Sequence, residues 1–472
     1  METINSALST ISSYLYSYVL IALLILGGLY FFIRTKAAPL RLFGDSIKVI
    51  AEKPHEEESL SSFKALMVST ASRVGTGNIV GVAVAIAIGG PGAVFWMWVI
   101  ATIGAASALI ESVLAQIYKR RADDGHSYGG PAWYIKHGLK QGWLGGVFAV
   151  VLILTYMGGF NMLASYNVVG SFGAYSFFEH SWAKYLLGAI LALAMAASIF
   201  GGTRKLADVT GVLVPIMAII YCVAAIIVIG INIDKVPDVL SAIFKGAFDF
   251  EAIFGGFAGS AMMQGIKRGL YSNEAGIGSA PNAAASASVS HPVKQGLVQM
   301  LSVFIDTMII CTFTGFLVLF TGKWANQGED PSGAEIVQGS LQTVFGHAGV
   351  YLVTISLLLF GFTTFLGNFY YAEINFRYLL GRLPKQAEIY AFRALACLLV
   401  FVGAFASFDV AWNTADILMG LMALINIPVI ILLGKHALRA VEDYHRQRKS
   451  GKDPHFTAES IGMDTGALDY WK

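Results

Sequence analysis

The residues best suited to binding chemistry lie in a glycine-rich interruption of a long apolar run. The run extends from Ser69 to Trp98, and its interruption reads V-G-T-G-N from Val74 to Asn78. Because each glycine costs a helix about 1 kcal/mol relative to alanine, we predict that the helix breaks there. Backbone groups freed inside a bilayer need partners, so the break must face protein, water or a solute. Half-helix amides suit a carboxylate and bare carbonyls suit a small cation, and we predict that this segment binds both.

A second interruption, F-G-G-F-A-G-S, runs from Phe254 to Ser260. Close packing between membrane helices is the alternative explanation for such glycines. Two interruptions at corresponding places favour a pair of broken helices. We predict that the substrate carboxylate binds at the first interruption and that the substrate amino group binds to the carbonyls of the second. The predicted substrate contacts here are Gly75, Thr76, Gly77, Asn78, Gly255, Gly256, Phe257, Gly259 and Ser260.

Two adjacent threonines, Thr363 and Thr364, lie in an otherwise apolar run and offer two hydroxyl oxygens to a cation. The alternative is that each hydroxyl bonds to a carbonyl one turn earlier in its own helix, as Ser and Thr often do. Oxygen ligands suit a hard cation such as Na+. We therefore predict a cation site at this pair.

Ionisable residues inside the apolar runs are functional candidates, because charge in a bilayer is costly. They are Arg73, Glu111, Asp306, Glu373 and Asp416. Asp306 is the candidate for proton coupling or gating, and Arg73, beside the first interruption, is the candidate for an inner gate. The alternative for each is a structural ion pair.

The composition is that of an integral membrane protein. The 472 residues are 56% hydrophobic and 13% charged, whereas roughly a quarter of a soluble domain is charged. A net charge of +2 gives no reason to expect a nucleic acid partner. No H-E-x-x-H or G-x-S-x-G motif and no Cys/His cluster is present, which argues against a membrane enzyme.

Apolar segments of roughly 20 residues predict eleven transmembrane helices. They fall at 13–34, 64–88, 92–118, 143–170, 182–201, 207–231, 252–285, 293–321, 348–376, 388–406 and 410–434. Most Lys and Arg residues lie on one side of this arrangement, which predicts an outside N-terminus and a cytoplasmic C-terminus in the plasma membrane.

The eleven predicted helices divide into a leading helix and two sets of five, each set beginning with an interrupted helix. An odd number of spans per set implies inverted repeats around a midplane site, which is typical of secondary transporters. The predicted segments are an N-terminal helix (1–36), an interfacial helix along the cytoplasmic surface (37–63), two repeats (64–231 and 250–435) and a cytoplasmic tail (436–472).

Several motifs resemble those of the alanine or glycine:cation symporter family of bacteria and archaea. They are R-V-G-T-G-N-I, G-G-P-G-A-V-F-W-M-W, Y-S-N-E-A-G-I-G-S-A-P-N-A-A-A and F-T-T-F-L-G, and the match covers essentially the whole chain. The resemblance implies a leucine-transporter-like five-plus-five fold and Na+-coupled uptake of a small neutral amino acid. It also implies that carbonyls of Ala71, Val74 and Phe360 complete the Na+ site of Thr363 and Thr364.

Two positions depart from that family's pattern. Ala164 occupies a place where members often carry glutamine, and Asn368 one where many carry tryptophan. Together with Asn161, these positions border the expected pocket. A roomier and more polar site is expected, which keeps glutamine or serine open as substrates beside alanine and glycine.

The leading hypothesis is a Na+-coupled amino acid symporter that works by alternating access and needs no organic cofactor. An H+-coupled symporter is the alternative within transport. An amino acid-gated channel would need a continuous polar path, and the spans show no repeated polar stripe.

Overall fold

The computed structural model describes residues 2–52, 60–122, 127–201, 203–248, 260–325 and 331–471. Within these ranges the chain is helical except for loops and one short antiparallel hairpin, in which β1 (Arg120–Arg121) pairs with β2 (Ser127–Tyr128). The second predicted interruption, with Gly255, Gly256, Phe257 and Gly259, lies outside the described residues.

The helices that precede the second interruption are α1 (Glu2–Tyr14), α2 (Ile21–Arg34), α3 (Ala38–Arg41), α4 (Phe43–Ile50), α5 (Ser62–Arg73), α6 (Val82–Gly89), α7 (Ala93–Ile117), α8 (Pro131–Gly138), α9 (Gly142–Ile153), α10 (Asn161–Gly170), α11 (Ala183–Ile199), α12 (Thr203–Ile231) and α13 (Val236–Ala247). Three π-helical turns connect these helices. The turn at Leu15–Leu20 joins α1 to α2, the turn at Gly77–Gly81 leads into α6, and the turn at Leu154–Phe160 joins α9 to α10.

The helices that follow it are α14 (Ala261–Asn273), α15 (Pro281–Ala284), α16 (Pro292–Val303), α17 (Thr312–Thr321), α18 (Gly333–Phe345), α19 (His347–Leu380), α20 (Gln386–Gly403) and α21 (Phe408–Lys449). A π-helical turn at Phe304–Cys311 joins α16 to α17.

Eight helical stretches of the described chain are long and apolar enough to cross a membrane, and a ninth results if the bent pair Ser62–Arg73 and Gly77–Gly89 is one span. Each corresponds to a predicted span. Two predicted spans remain. The span at 182–201 corresponds to α11, which is apolar but shorter, and the described part of the span at 252–285 contains α14 and α15. The count of eleven and the inverted-repeat arrangement stay predictions.

The centre of the bundle is α7, whose residues from Ala105 to Ile117 are all buried. Helices α14 and α16 pack along it, and α2 covers another side. Helix α5 packs against α19 and α12. The first interruption and the Thr363–Thr364 pair are therefore brought together in the interior of the protein.

Two segments outside the predicted spans are also ordered. Helices α3 and α4 occupy part of the predicted interfacial segment, and their Leu40, Phe43 and Ile47 side chains are exposed, as expected at a lipid surface. Beyond α21, the chain folds back on the bundle, where Phe456 N donates to Ser290 O (3.0 Å) and the buried Trp471 Nε1 to Gln116 O (2.7 Å). Part of the predicted cytoplasmic tail is thus packed against the bundle.

Candidate binding site at the helix break

The predicted break in the first interrupted helix is confirmed. Helix α5 ends at Arg73, and the helix resumes at Gly77 with its axis bent by 52°. Val74, with ψ at 84°, leaves helical geometry and donates its amide to Thr70 O (2.7 Å). Residues Ala71, Val74 and Thr76 are almost completely buried, so the break lies inside protein, as hydrocarbon would require.

Asn78 partners the backbone groups that the break frees. Its Oδ1 accepts from the Gly75 amide (2.9 Å), and its own carbonyl accepts from Thr314 Oγ1 (2.7 Å). Its Nδ2 donates to Asp306 Oδ1 (2.6 Å) and Ser272 Oγ (2.9 Å). The side chain therefore joins the break to α14 and to the turn after α16.

Asp306 is held as a hydrogen-bond acceptor rather than as half of an ion pair. Besides Asn78, it accepts from Ser272 Oγ (2.6 Å) and Thr307 Oγ1 (2.8 Å), both through Oδ2. Within the described ranges it forms no salt bridge. Such bonds orient Asp306 toward the break, and its proposed role in proton coupling or gating stays a prediction.

The two candidate cation ligands on α19 face different ways. Thr363 Oγ1 lies 3.1 Å from both Leu359 O and Phe360 O and 3.3 Å from Met217 Sδ. Its hydroxyl therefore has the intrahelical bonding that was the alternative to cation binding. Thr364 Oγ1 is buried with no hydrogen-bond partner in the described part of the chain. An unpartnered buried hydroxyl is costly unless a ligand completes it.

Thr364 points directly at the break. A Cβ atom added to Gly75 would lie 2.3 Å from Thr364 Oγ1, and one added to Gly367 would lie 2.5 Å from the Ser72 amide nitrogen. Glycine at both positions lets α19 approach the end of α5 closely. The unpartnered hydroxyl is thus adjacent to the segment whose carbonyls were predicted to bind the cation.

A polar network borders the other side of the break. Asn368 Nδ2 donates to Asn161 Oδ1 (2.9 Å), and Asn368 Oδ1 lies 2.7 Å from Ser72 Oγ. The same hydroxyl lies 3.0 Å from Glu274 Oε1, so its single proton serves one acceptor at a time. Asn161 Nδ2 is buried without a partner among the described residues.

Glu274 also belongs to this network. It follows α14 with a left-handed backbone (φ 53°), is buried, and also accepts from Ser279 Oγ (2.6 Å). The signal available in the sequence was a carboxylate within an otherwise uncharged segment, Y-S-N-E-A-G. The contact of Glu274 with Ser72 could not be predicted from the spacing of residues in the sequence.

The other predicted substrate contacts do not all lie at the break. Thr76 Oγ1 accepts from Asn167 Nδ2 (3.1 Å). Gly77 is close to the ring of Tyr271, because an added Cβ would lie 2.6 Å from its Cε1. Ala164 is buried on α10. Ser260 Oγ caps α14 by accepting from Met263 N (3.2 Å). This end of α14 packs on Gly89, whereas Gly77 packs on Tyr271 near the other end, so Ser260 lies about 18 Å from the break and does not share a small substrate with it.

Arg73 is fully buried and bonds to neutral partners. Its Nη1 donates to Gln299 O (3.2 Å), while Nε and Nη2 have no hydrogen-bond partner in the described ranges. Its charge interacts at longer range with Glu111, Glu274 and Asp306. Its predicted gating role stays open.

The other intramembrane carboxylates have structural partners. Asp416 pairs bidentately with Arg268 (3.1 and 2.9 Å), and Glu373 pairs with Arg377 (2.8 Å). Glu111 instead accepts from the amides of Gly276 and Gly278, together with Asn426. The structural ion pair is therefore favoured for Asp416 and Glu373, whereas Glu111 has hydrogen bonds and no ion pair among the described residues.

Relatives of this sequence are membrane transporters. A probable sodium/glutamine symporter, GlnT, of Bacillus subtilis (strain 168) is 42% identical over 462 residues, 97% of this chain and 94% of that protein. The amino-acid carrier protein AlsT of the same organism is 41% identical, with 97% and 96% covered. The sodium/alanine symporter AgcS of Methanococcus maripaludis is 36% identical, with 94% and 98% covered.

Among solved structures, the manganese transporter of Eremococcus coleocola in complex with an aromatic bis-isothiourea compound aligns over 85% of this chain and 89% of its own. The TM-score is 0.49 at 11% identity.

The family comparison covers nearly the whole sequence, including every described residue of the break and of its polar surroundings. Residues 1–458 match the sodium:alanine symporter family. The chain therefore belongs to the sodium:alanine symporter family.

Proposed function

We propose that this protein is a Na+-coupled symporter that moves a neutral amino acid into the cell by alternating access. Family membership supports symport of an amino acid with sodium. The observation that carries the cation assignment is the buried, unpartnered hydroxyl of Thr364 facing Gly75 at the helix break.

In this proposal the cation binds between α5 and α19. Carbonyls of Ala71, Val74 and Phe360 and the hydroxyl of Thr364 supply oxygen ligands, and Thr363 joins them if its side chain rotates away from Met217. Oxygen ligation of this kind suits Na+. A cation that bridges two helices stabilises the arrangement in which both are close, which links ion binding to the conformational change.

The substrate binds on the other side of the break. Its carboxylate takes hydrogen bonds from the amides between Gly75 and Asn78, in place of the oxygen that Asn78 now offers. Its side chain extends toward Asn161, Ala164 and Asn368.

The polar network suits a substrate with a polar side chain, in addition to alanine and glycine. Asn161 has an amide N–H without a partner in the described chain, and a substrate carbonyl or hydroxyl oxygen would satisfy it. The relative GlnT, a probable sodium/glutamine symporter, is consistent with such a substrate.

Proton coupling is the second candidate, with Asp306 as the carrier. Asp306 contacts the break through Asn78, and two relatives are described as sodium/proton-dependent alanine carriers. Asp306→Asn separates the candidates. Under Na+ coupling the variant keeps Na+-stimulated uptake, whereas under H+ coupling it loses uptake driven by a pH gradient.

The decisive experiment is uptake into proteoliposomes with Na+ and pH gradients imposed separately. Labelled alanine competes with unlabelled glycine, serine and glutamine. Uptake that requires Na+ and is inhibited by these amino acids supports the proposal. Uptake that is unchanged when choline replaces Na+ contradicts it.

A further inference from the structure

A cavity of about 460 Å³ opens between the segment after α7, helix α8 and the end of α19. Cations from all three segments line it. They are Arg120, Arg121, Lys136, Arg377 and Arg382. We propose that this cavity, the basic pocket, binds a phosphate group carried by the headgroup of an anionic phospholipid.

The lining of the basic pocket is cationic and aromatic, and no Asp or Glu belongs to it among the described residues. Carboxylates hold three of the arginines in place. Asp469 pairs with Arg120 (2.5 Å), Glu373 with Arg377 (2.8 Å) and Glu388 with Arg382 (2.6 Å). Five cations therefore line the cavity, and carboxylates in the described part of the chain position three of them. A phosphate with several acceptor oxygens matches such a set of fixed donors.

The remaining two cations lie over aromatic rings. Lys136 Nζ is 5.9 Å from the ring centre of Tyr378, and the guanidinium of Arg121 is 4.6 Å from that of Tyr470. Contacts of this kind restrict where the side chains can point. The cations are thus positioned before an anion arrives, which lowers the entropy lost on binding.

His137 adds a neutral donor to the same cavity. Partial burial, followed by the positive charges of Arg120 and Lys136, lowers its pKa to about 4. The imidazole is therefore uncharged at neutral pH and carries one N–H for a hydrogen bond. The lowered pKa also reflects the positive field that the two cations create in the pocket.

Apolar groups beside the pocket favour a lipid over a free ion. Leu383 in the lining is 61% exposed, and Trp143 at the start of the neighbouring α9 is 69% exposed. Trp133 and Tyr378 pack edge to face (5.0 Å) in the wall. Exposed Trp and aromatic walls are typical of the membrane interface, and basic pockets there bind lipid headgroups. A free phosphate would use the cations but not these apolar groups.

The test replaces three exposed cations of the pocket by glutamine: Arg121→Gln, Lys136→Gln and Arg382→Gln in one protein. A matched control removes three exposed lysines elsewhere on the face predicted to be cytoplasmic: Lys48→Gln, Lys435→Gln and Lys449→Gln. Both variants lose the same charge. Full-length proteins are purified with phosphatidylglycerol and phosphatidylcholine, and retained lipid is measured by native mass spectrometry.

The wild type and the control are expected to retain phosphatidylglycerol in preference to phosphatidylcholine. The pocket variant should bind it about 100-fold more weakly, at roughly fivefold per cation near an anionic surface. Equal retention by the two variants, or no preference in the wild type, overturns the proposal.

A second arm identifies the source of the phosphate. Orthophosphate is titrated against the wild type in phosphatidylcholine nanodiscs, with thermal stability as the readout. No stabilisation by orthophosphate, together with selective retention of phosphatidylglycerol, supports the lipid. The opposite outcome is stabilisation by orthophosphate that only the pocket variant loses, together with no selective lipid retention by the wild type. It would identify the ligand as a free phosphate and overturn the assignment to a lipid. Neither readout depends on transport.

Discussion

At the scale of single residues, neighbouring side chains of the same type have different environments. Thr363 and Thr364 are adjacent and both buried, yet one hydroxyl bonds to its own helix and the other has no partner in the described chain. A helix turns by about 100° per residue, so adjacent positions face different neighbours. Thr364 faces the break, and Thr363 faces α12.

We expect Thr364→Val to weaken Na+ binding at least tenfold, because a ligand to a charged group typically contributes roughly 1.5–3 kcal/mol. Thr363→Val should have the smaller effect, since its hydroxyl already has carbonyl partners. The measurement is uptake as a function of Na+ concentration. Unfolding without Na+ should show no loss of stability for Thr364→Val, because no protein hydrogen bond is removed. Equal Na+ dependence in Thr364→Val and the wild type would refute the assignment.

The asparagine pair gives a prediction about selectivity. We expect Asn161→Ala to reduce glutamine uptake relative to alanine uptake about fivefold to tenfold, because one hydrogen bond to the substrate side chain is lost. Alanine, which has no polar side-chain group, serves as the internal control. An unchanged ratio of the two uptake rates would exclude Asn161 from the side-chain pocket.

At the scale of elements, the approach of α19 to α5 determines the geometry of the site. Gly367 is in contact with the Ser72 backbone, and Ser72 is also the residue that joins Asn368 to Glu274. Any displacement of α19 therefore moves the cation ligands and the polar network together. This coupling is the physical reason to expect ion and substrate to act on each other's binding.

We predict that Gly367→Ala lowers the free energy of unfolding by about 1–3 kcal/mol and abolishes Na+-stimulated uptake, because the added methyl group overpacks against Ser72. Gly230→Ala is the matched control. It lies in α12 with no atom within 4 Å of the added Cβ, and it should leave stability equal or higher by up to about 1 kcal/mol. Thermal unfolding and uptake of both variants check this, and equal behaviour would contradict it.

The C-terminal segment packs on the bundle through specific side chains. Trp471 is buried beside Gln116, and Lys119 lies over the rings of Tyr470 (4.5 Å) and Trp471 (5.2 Å). We expect Trp471→Ala to increase proteolytic cleavage after α21 about tenfold or more, because burying such a side chain contributes roughly 1.5–3 kcal/mol and cleavage follows the open population. Trp182→Ala, at a position that is 51% exposed, is the control. Cleavage at the wild-type rate would show that the segment is held by other contacts.

At the scale of the whole molecule, the orientation of the chain in the membrane gives a testable prediction. The distribution of Lys and Arg predicts that Asp234 is outside and Ser450 inside. We expect a membrane-impermeant thiol reagent to modify Asp234→Cys in intact cells and Ser450→Cys only after permeabilisation, each introduced with Cys222, Cys311 and Cys397 replaced by Ala. The reverse pattern would invert the proposed direction of every helix.

The sequence predicted the elements of this fold better than their lateral contacts. Glycines with poor helix propensity located the break at Gly75, and apolar length located nine spans. The contact of Ser72 with Asn368 joins residues 296 positions apart, and no periodicity encodes such a pairing. The packing of the residues after α21 could not be predicted, because a few buried aromatic residues among many charges leave no regular pattern.

The packing of Trp471 on Gln116 also bears on the order of biosynthesis. These residues are 355 positions apart, so α7 has been inserted long before Trp471 leaves the ribosome. Until then, Gln116, Lys119 and Ser290 lack the cover that Trp471 and Phe456 give them in the folded protein. The closure of this surface therefore follows the insertion of α7.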